Sequence, residues 1–175
     1  MDIRASLLRD RSKANCQRIV EYIGNDPQLC AEWAACLLDK DSVLSNKASW
    51  VLNFITDNNP SVVDSFQSKF LAKLKEEGNL DGVPRAICRH WAEYGFPEEI
   101  EGEVYDLCLG YLQTNSAIAI KAHAMQACYN VVTKYPELSS EYKIILEEVI
   151  LRYGPESAGI RSRGDKLLKK LRTFL

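Results

Sequence analysis

Apolar positions recur along this chain with the spacing of helices. Leu44, Ala48, Val51, Leu52 and Ile55 stand at i, i+4, i+7, i+8 and i+11, the stripe of one helical face. Ile100, Val104, Leu107, Cys108 and Tyr111 repeat that spacing, and so do Ile160, Gly164, Leu167, Leu168 and Leu171. Short interruptions separate these stripes: Gly24-Asn25-Asp26-Pro27, Asn58-Asn59-Pro60, Gly95-Phe96-Pro97, Tyr135-Pro136 and Gly154-Pro155. All six prolines, Pro84 included, fit a helix entrance, where the missing N–H had no partner to lose. Glu98, Glu99, Glu137 and Glu156 then place negative charge near the positive end of a helix. No segment alternates as a half-buried strand would. The pattern predicts ten helices, near 2–9, 11–23, 27–39, 43–57, 60–76, 83–94, 98–113, 116–134, 137–153 and 159–174. Connections of a few residues predict antiparallel packing of neighbours. The expected fold class is all-α.

A longer period lies over the helical one. Lys13, Lys47, Arg85, Lys121 and Arg161 each open a second helix, with steps of 34, 38, 36 and 40 residues. That is the length of a helix-pair repeat. Three residues after each cation come Cys16, Trp50, Cys88, Ala124 and Gly164, small in every copy but one. Small residues there let a neighbouring helix approach. A cation early in a helix is disfavoured by the helix dipole, so each needs a compensating partner. One reading gives them nearby carbonyls or carboxylates such as Asp10, Asp41, Asp81 and Glu156. The other makes them an anion-binding stripe.

The frame of an apolar then basic residue, followed by small and aliphatic positions, resembles the second helix of a HEAT repeat. Ile120-Lys121-Ala122-His123-Ala124-Met125-Gln126-Ala127 is the clearest copy, and Ile160-Arg161-Ser162-Arg163-Gly164 the next. With Lys47-Ala48-Ser49-Trp50-Val51-Leu52, these segments also look like a group of short bacterial HEAT-repeat proteins. The resemblance implies a right-handed α-α superhelix of about five stacked hairpins in a single domain over 1–175. The repeats would span roughly 1–24, 26–57, 59–95, 97–135 and 136–175. It implies no particular activity. Its basic ladder would line a concave face, and the end repeats should differ from the middle.

Composition narrows the function. Lys plus Arg (22) against Asp plus Glu (24) gives −2, so no global charge draws the protein to nucleic acid or anionic membrane. The near-neutral total hides a dipole: residues 158–175 carry six cations against one Asp, whereas 93–106 carry six carboxylates and no Lys or Arg. The early Arg4, Arg9 and Asp10 interrupt what a secretory leader would need, and no window offers a membrane span. A cytoplasmic protein is expected. The six cysteines form no Cys-x-x-Cys pair, and His90 and His123 have no close ligand partners, so buried thiols and no metal are expected.

No nucleophile elbow, phosphate loop, dinucleotide fingerprint or zincin motif is present, so no catalytic residue and no cofactor is assigned. The expected function is a non-enzymatic interaction module or scaffold that holds a protein partner on its concave face or charged ends. The candidate binding residues are Lys47, Trp50, Arg85, Lys121, Arg161 and Arg163, with Trp33 and Trp91 expected to fill the core. The alternative is a DNA-binding protein or a HEAT-like DNA glycosylase of the alkylation-repair type. That class combines a basic groove, Trp residues and a catalytic Asp, and Trp50, Trp91, Asp57 and Asp106 supply those residue types. Nucleic acid is the less favoured partner because the isoelectric point, about 5.8, is low for duplex binding.

Overall fold

A computed structural model describes residues 1–173 of the chain. Ten α-helices account for most of it: α1 (Ile3–Arg9), α2 (Lys13–Ile23), α3 (Pro27–Leu37), α4 (Ser42–Asn58), α5 (Gln67–Leu74), α6 (Gly82–Tyr94), α7 (Glu101–Gln113), α8 (Ile118–Lys134), α9 (Ser139–Tyr153) and α10 (Ala158–Leu171). Among the described residues there is no strand. The fold is all-α, with helices where the apolar stripes put them. The predicted end of the last helix at Phe174 lies outside the described residues.

Helix starts follow the chemistry of the residue before them. Asp26 and Asp41 each accept from two backbone N–H groups, Gln28 and Leu29 in one case, Val43 and Leu44 in the other. Asp2, Ser12 and Ser157 cap α1, α2 and α10, each accepting from one backbone N–H. Three entrances that lack a side-chain cap begin as a 3₁₀ segment, Pro60–Phe66, Glu98–Ile100 and Pro136–Leu138; α8, entered from Ala117, also lacks a side-chain cap but starts directly as α-helix. The tighter i→i+3 bonds satisfy N–H groups that a cap would otherwise take. The stretch expected as one helix over 60–76 is therefore a 3₁₀ segment followed by α5. Pro27, Pro60, Pro84 and Pro136 stand in a first turn and Pro97 just before one; Pro155 instead lies in the turn that follows α9, with Ser157 at the entrance of α10. Gly24 (φ 50°) and Gly95 (φ 87°) end α2 and α6 in the left-handed region that favours glycine.

The chain falls into two compact units, Met1–His90 and Trp91 onward. In the first, α1 pairs with α2 and α3 with α4; α1 also lies on α3, and α2 on α4. In the second, α7 pairs with α8 and α9 with α10; α7 lies on α9, and α8 on α10. Each unit is thus built of hairpins stacked in two layers, first helices together and second helices together. Their cores are the predicted stripes. Leu44, Ala48, Val51, Leu52 and Ile55 are all buried on α4, and Ile160, Gly164, Leu167 and Leu171 on α10. From Ile120 to Val132 no residue of α8 is exposed, as a helix with neighbours on both sides requires. Leu107 and Tyr111 are only half-buried, and Tyr105, Leu109 and Leu112 carry more of the α7 contact.

The small positions do what close packing needs. A methyl group on Gly164 would meet Ile150 Cγ1 at 2.4 Å, so α9 and α10 approach only because residue 164 has no side chain. Cys16, Cys88 and Ala124 are buried at the equivalent places. All six cysteines are buried.

Candidate functional site

Polar side chains on later helices reach back to the carbonyls that earlier helix ends leave unbonded. Asn15 on α2 donates to Ser6 O at 2.9 Å and Asp10 O at 2.8 Å, closing the end of α1. Ser45 Oγ on α4 donates to Leu37 O at the end of α3. Lys47 Nζ donates to Leu8 O at 2.6 Å, and Lys73 Nζ to Asp39 O at 2.8 Å. Asn130 Nδ2 donates to Ala92 O at 3.2 Å in the last turn of α6. The last four C=O groups of a helix have no intrahelical donor and carry its negative pole, so amides and cations are suited to them.

Lys121 is the extreme case. Its side chain is fully buried, and Nζ donates to Tyr111 O at 2.6 Å, Leu112 O at 3.1 Å and Thr114 O at 2.6 Å. All three ammonium protons meet carbonyls at the end of α7. The ring of Tyr153 covers the same nitrogen, 4.7 Å from its centroid. Burial, with Arg152 near by, pushes the ammonium down to about 8.

The other ladder cations divide differently. Only Lys13 is the first residue of its helix; Arg85, Lys121 and Arg161 are fourth and Lys47 sixth, so "opening" the helix holds strictly for one of five. Lys13, Arg85 and Arg161 are exposed, and Lys47 is half-buried. Trp50 is half-buried, with the Arg11 guanidinium 5.2 Å from its ring centroid and Phe54 edge-on at 6.3 Å. Arg85 and Trp50 share a small depression with Arg11, Asn46 and Gly82. Trp33 and Trp91 are fully buried, and Trp33 Nε1 donates to Ala48 O at 3.1 Å. These two tryptophans are core.

An open hollow of about 740 Å³ lies in the second unit between α8 and α10. His123 and Gln126 line it from α8, and Arg163, Lys166, Lys169 and Lys170 from α10. Leu167 and Ala92 give it apolar patches, and Glu93 is its one carboxylate. Arg163 donates to Ala122 O and is thereby fixed to the α8 backbone. Lys170 lies over the Tyr129 ring, 5.5 Å from the centroid. Lys166 and Lys169 are exposed. Sequence reasoning selected Arg163 from this group and noted the basic stretch of α10. It missed that α8 and α10 enclose a hollow, because no residue spacing within one helix encodes the gap beside it.

Neither Asp57 nor Asp106 lines this hollow. Asp57 belongs to the first unit, where its carboxylate meets Arg89 NH2 at 2.7 Å; Asp106 is exposed on α7. Among the described residues no group of three or more His, Cys, Asp or Glu side chains is placed to hold a metal ion. Nor, among them, is any helix long and apolar enough to cross a membrane.

A family model described as a HEAT repeat domain matches residues 3–171. No curated protein and no solved structure matches the chain.

Proposed function

Since the chain belongs to the HEAT repeat family, we propose that it is a non-enzymatic interaction module of the cytoplasm that holds a protein partner in the cationic cleft between α8 and α10. One observation carries the reading: four cations and an apolar floor share one open hollow. HEAT repeat domains are commonly interaction modules, and a cleft of mixed apolar and charged lining suits a polypeptide with acidic side chains. Lys166 and Lys169 are the working cations, with Arg163 and Lys170 held in place beside them. The ladder residues Arg85 and Arg161, being exposed, stay available to a partner. Lys121 spends all three donors inside the fold, and Lys47 gives one to Leu8 O at the end of α1.

The test is capture of partners from native cytosol by the full chain and by a variant carrying Lys166→Glu and Lys169→Glu. A discrete partner retained by the first and lost by the second supports the reading. Equal capture by both would overturn the cleft. Release of bases from alkylated DNA, abolished by Asp57→Asn or Asp106→Asn, would overturn the non-enzymatic assignment.

A further inference from the structure

The cleft has a complement on the same molecule. Along α10, Arg163, Lys166 and Lys170 recur at i, i+3 and i+7, with Lys169 beside the last, so the cations span about 10 Å of helix. Along α7 and the 3₁₀ turn that leads into it, Glu99, Glu103 and Asp106 recur at i, i+4 and i+7 over the same length. All three carboxylates are exposed. Among the described residues, neither Glu99 nor Asp106 has an ion-pair partner, and neither does Lys166 or Lys169. Both α8 and α9 pack against α7 as well as against α10.

We infer that the cationic cleft of α10 seats the acidic face of α7 from a second copy of this chain. The inference rests on the proposed reading of the cleft as a protein-binding site and names its occupant. Opposite charges at matched helical spacing give the pairing its register, and like charges oppose the two same-face encounters, α7 on α7 and α10 on α10. Gly102 and Gly110 lie on the α7 face that includes Asp106, four residues to either side of it, and a methyl group on either glycine would meet nothing within 4 Å. Their small size helps α7 enter a hollow. Because the two surfaces differ, the contact is head-to-tail and leaves one of each open at the ends of any assembly that does not close into a ring. Exposed ion pairs are individually weak and screened by salt, so the assembly should be reversible and salt-sensitive.

Sedimentation velocity of the full chain over a concentration series tests this. At about 10 mM ionic strength, where screening extends over about 30 Å, the average mass should rise with concentration; at about 1 M salt it should return to that of one copy. Lys166→Glu with Lys169→Glu, the acidic variant, removes the net positive charge of the cleft while α7 stays acidic, and Glu99→Lys with Asp106→Lys makes both faces basic. Each variant alone should stay a single copy, and an equimolar mixture should associate, because each then offers the other a face of opposite charge. The substituted side chains are exposed, and unchanged circular dichroism confirms that the variants fold. A wild-type chain that stays a single copy throughout, or a mixture that fails to associate, would overturn the inference. If wild-type stays single while the acidic variant loses a captured partner, the cleft reading survives and only the second copy is wrong. A fluorescent oligonucleotide bound by single-copy wild type, and not by the acidic variant, would assign the cleft to phosphodiester instead.

Discussion

The ends of α1 and α7 face the same problem and solve it with different residues. Each leaves carbonyls that the next helix must satisfy across a short turn. At α1 the neutral amide of Asn15 does so, and the ladder cation two residues earlier, Lys13, is exposed. At α7 the cation itself, Lys121, turns inward and takes three carbonyls; the residue two places later is His123, which lines the cleft. One ladder position therefore holds two physical roles. In α8 the cation is buried and itself takes the carbonyls that end α7, whereas in α2 the cation is exposed and Asn15 takes those that end α1. A recurring basic residue is thus no evidence of a binding stripe by itself.

The largest effect should come from Lys121. Lys121→Ala removes three bonds from buried or half-buried carbonyls and leaves a void, a loss of roughly 3 kcal/mol in a urea melt, since unsatisfied groups cost about 1–3 kcal/mol and cavities add to that. Almost as large is an acid effect centred on His90, buried in the first unit with Gln67 Nε2 at 2.7 Å from its Nε2. Burial, and then the charge of Arg89, lowers this imidazole to about 4 from the usual 6.5. The unfolded chain binds the proton first, so stability present above about pH 6.5 is lost as pH falls toward 4, by up to about 3 kcal/mol. His90→Gln should flatten that acid limb in melts taken across the range.

Gly164→Ala comes next, at roughly 1–3 kcal/mol, because the new methyl group must displace Ile150. Asn15→Ala should cost about 1–2 kcal/mol, from the carbonyls it strands at the end of α1. Lys13→Ala, the smallest, should fall within about 0.5 kcal/mol of wild type. A Lys13→Ala loss as large as that of Asn15→Ala would break the comparison, since it would give the exposed cation a structural role that its position does not explain.

Much of this was legible in the sequence, and the residues show why. The α4 stripe from Leu44 to Ile55 is local and periodic, so it foretold both the helix and its buried face. Gly164 and Ala124 announced close packing through their size alone. Pro27 marked the entrance of α3, but the capping role of Asp26 before it emerges only in the structure. At Tyr135-Pro136 there is no acceptor, and the chain starts in 3₁₀ form instead. The role of each ladder cation was not legible. Whether Lys121 or Lys13 is buried depends on which side chain of the following turn can reach the preceding carbonyls. That is a contact across a hairpin, and the sequence pattern of the two helices is otherwise the same. The cleft escaped for a similar reason, being the space between α8 and α10 and not a property of either.

The cations divide into those that complete the fold and those that stay exposed along the hollow of α10. Parallel urea melts of Lys121→Met and of the double variant Lys166→Met, Lys169→Met test that division most directly, since methionine keeps the bulk and removes the charge. Lys121→Met should lose about 1–3 kcal/mol, and the double variant should stay within about 0.5 kcal/mol of wild type. Equal shifts in the two, or a larger one in the double variant, would contradict that division.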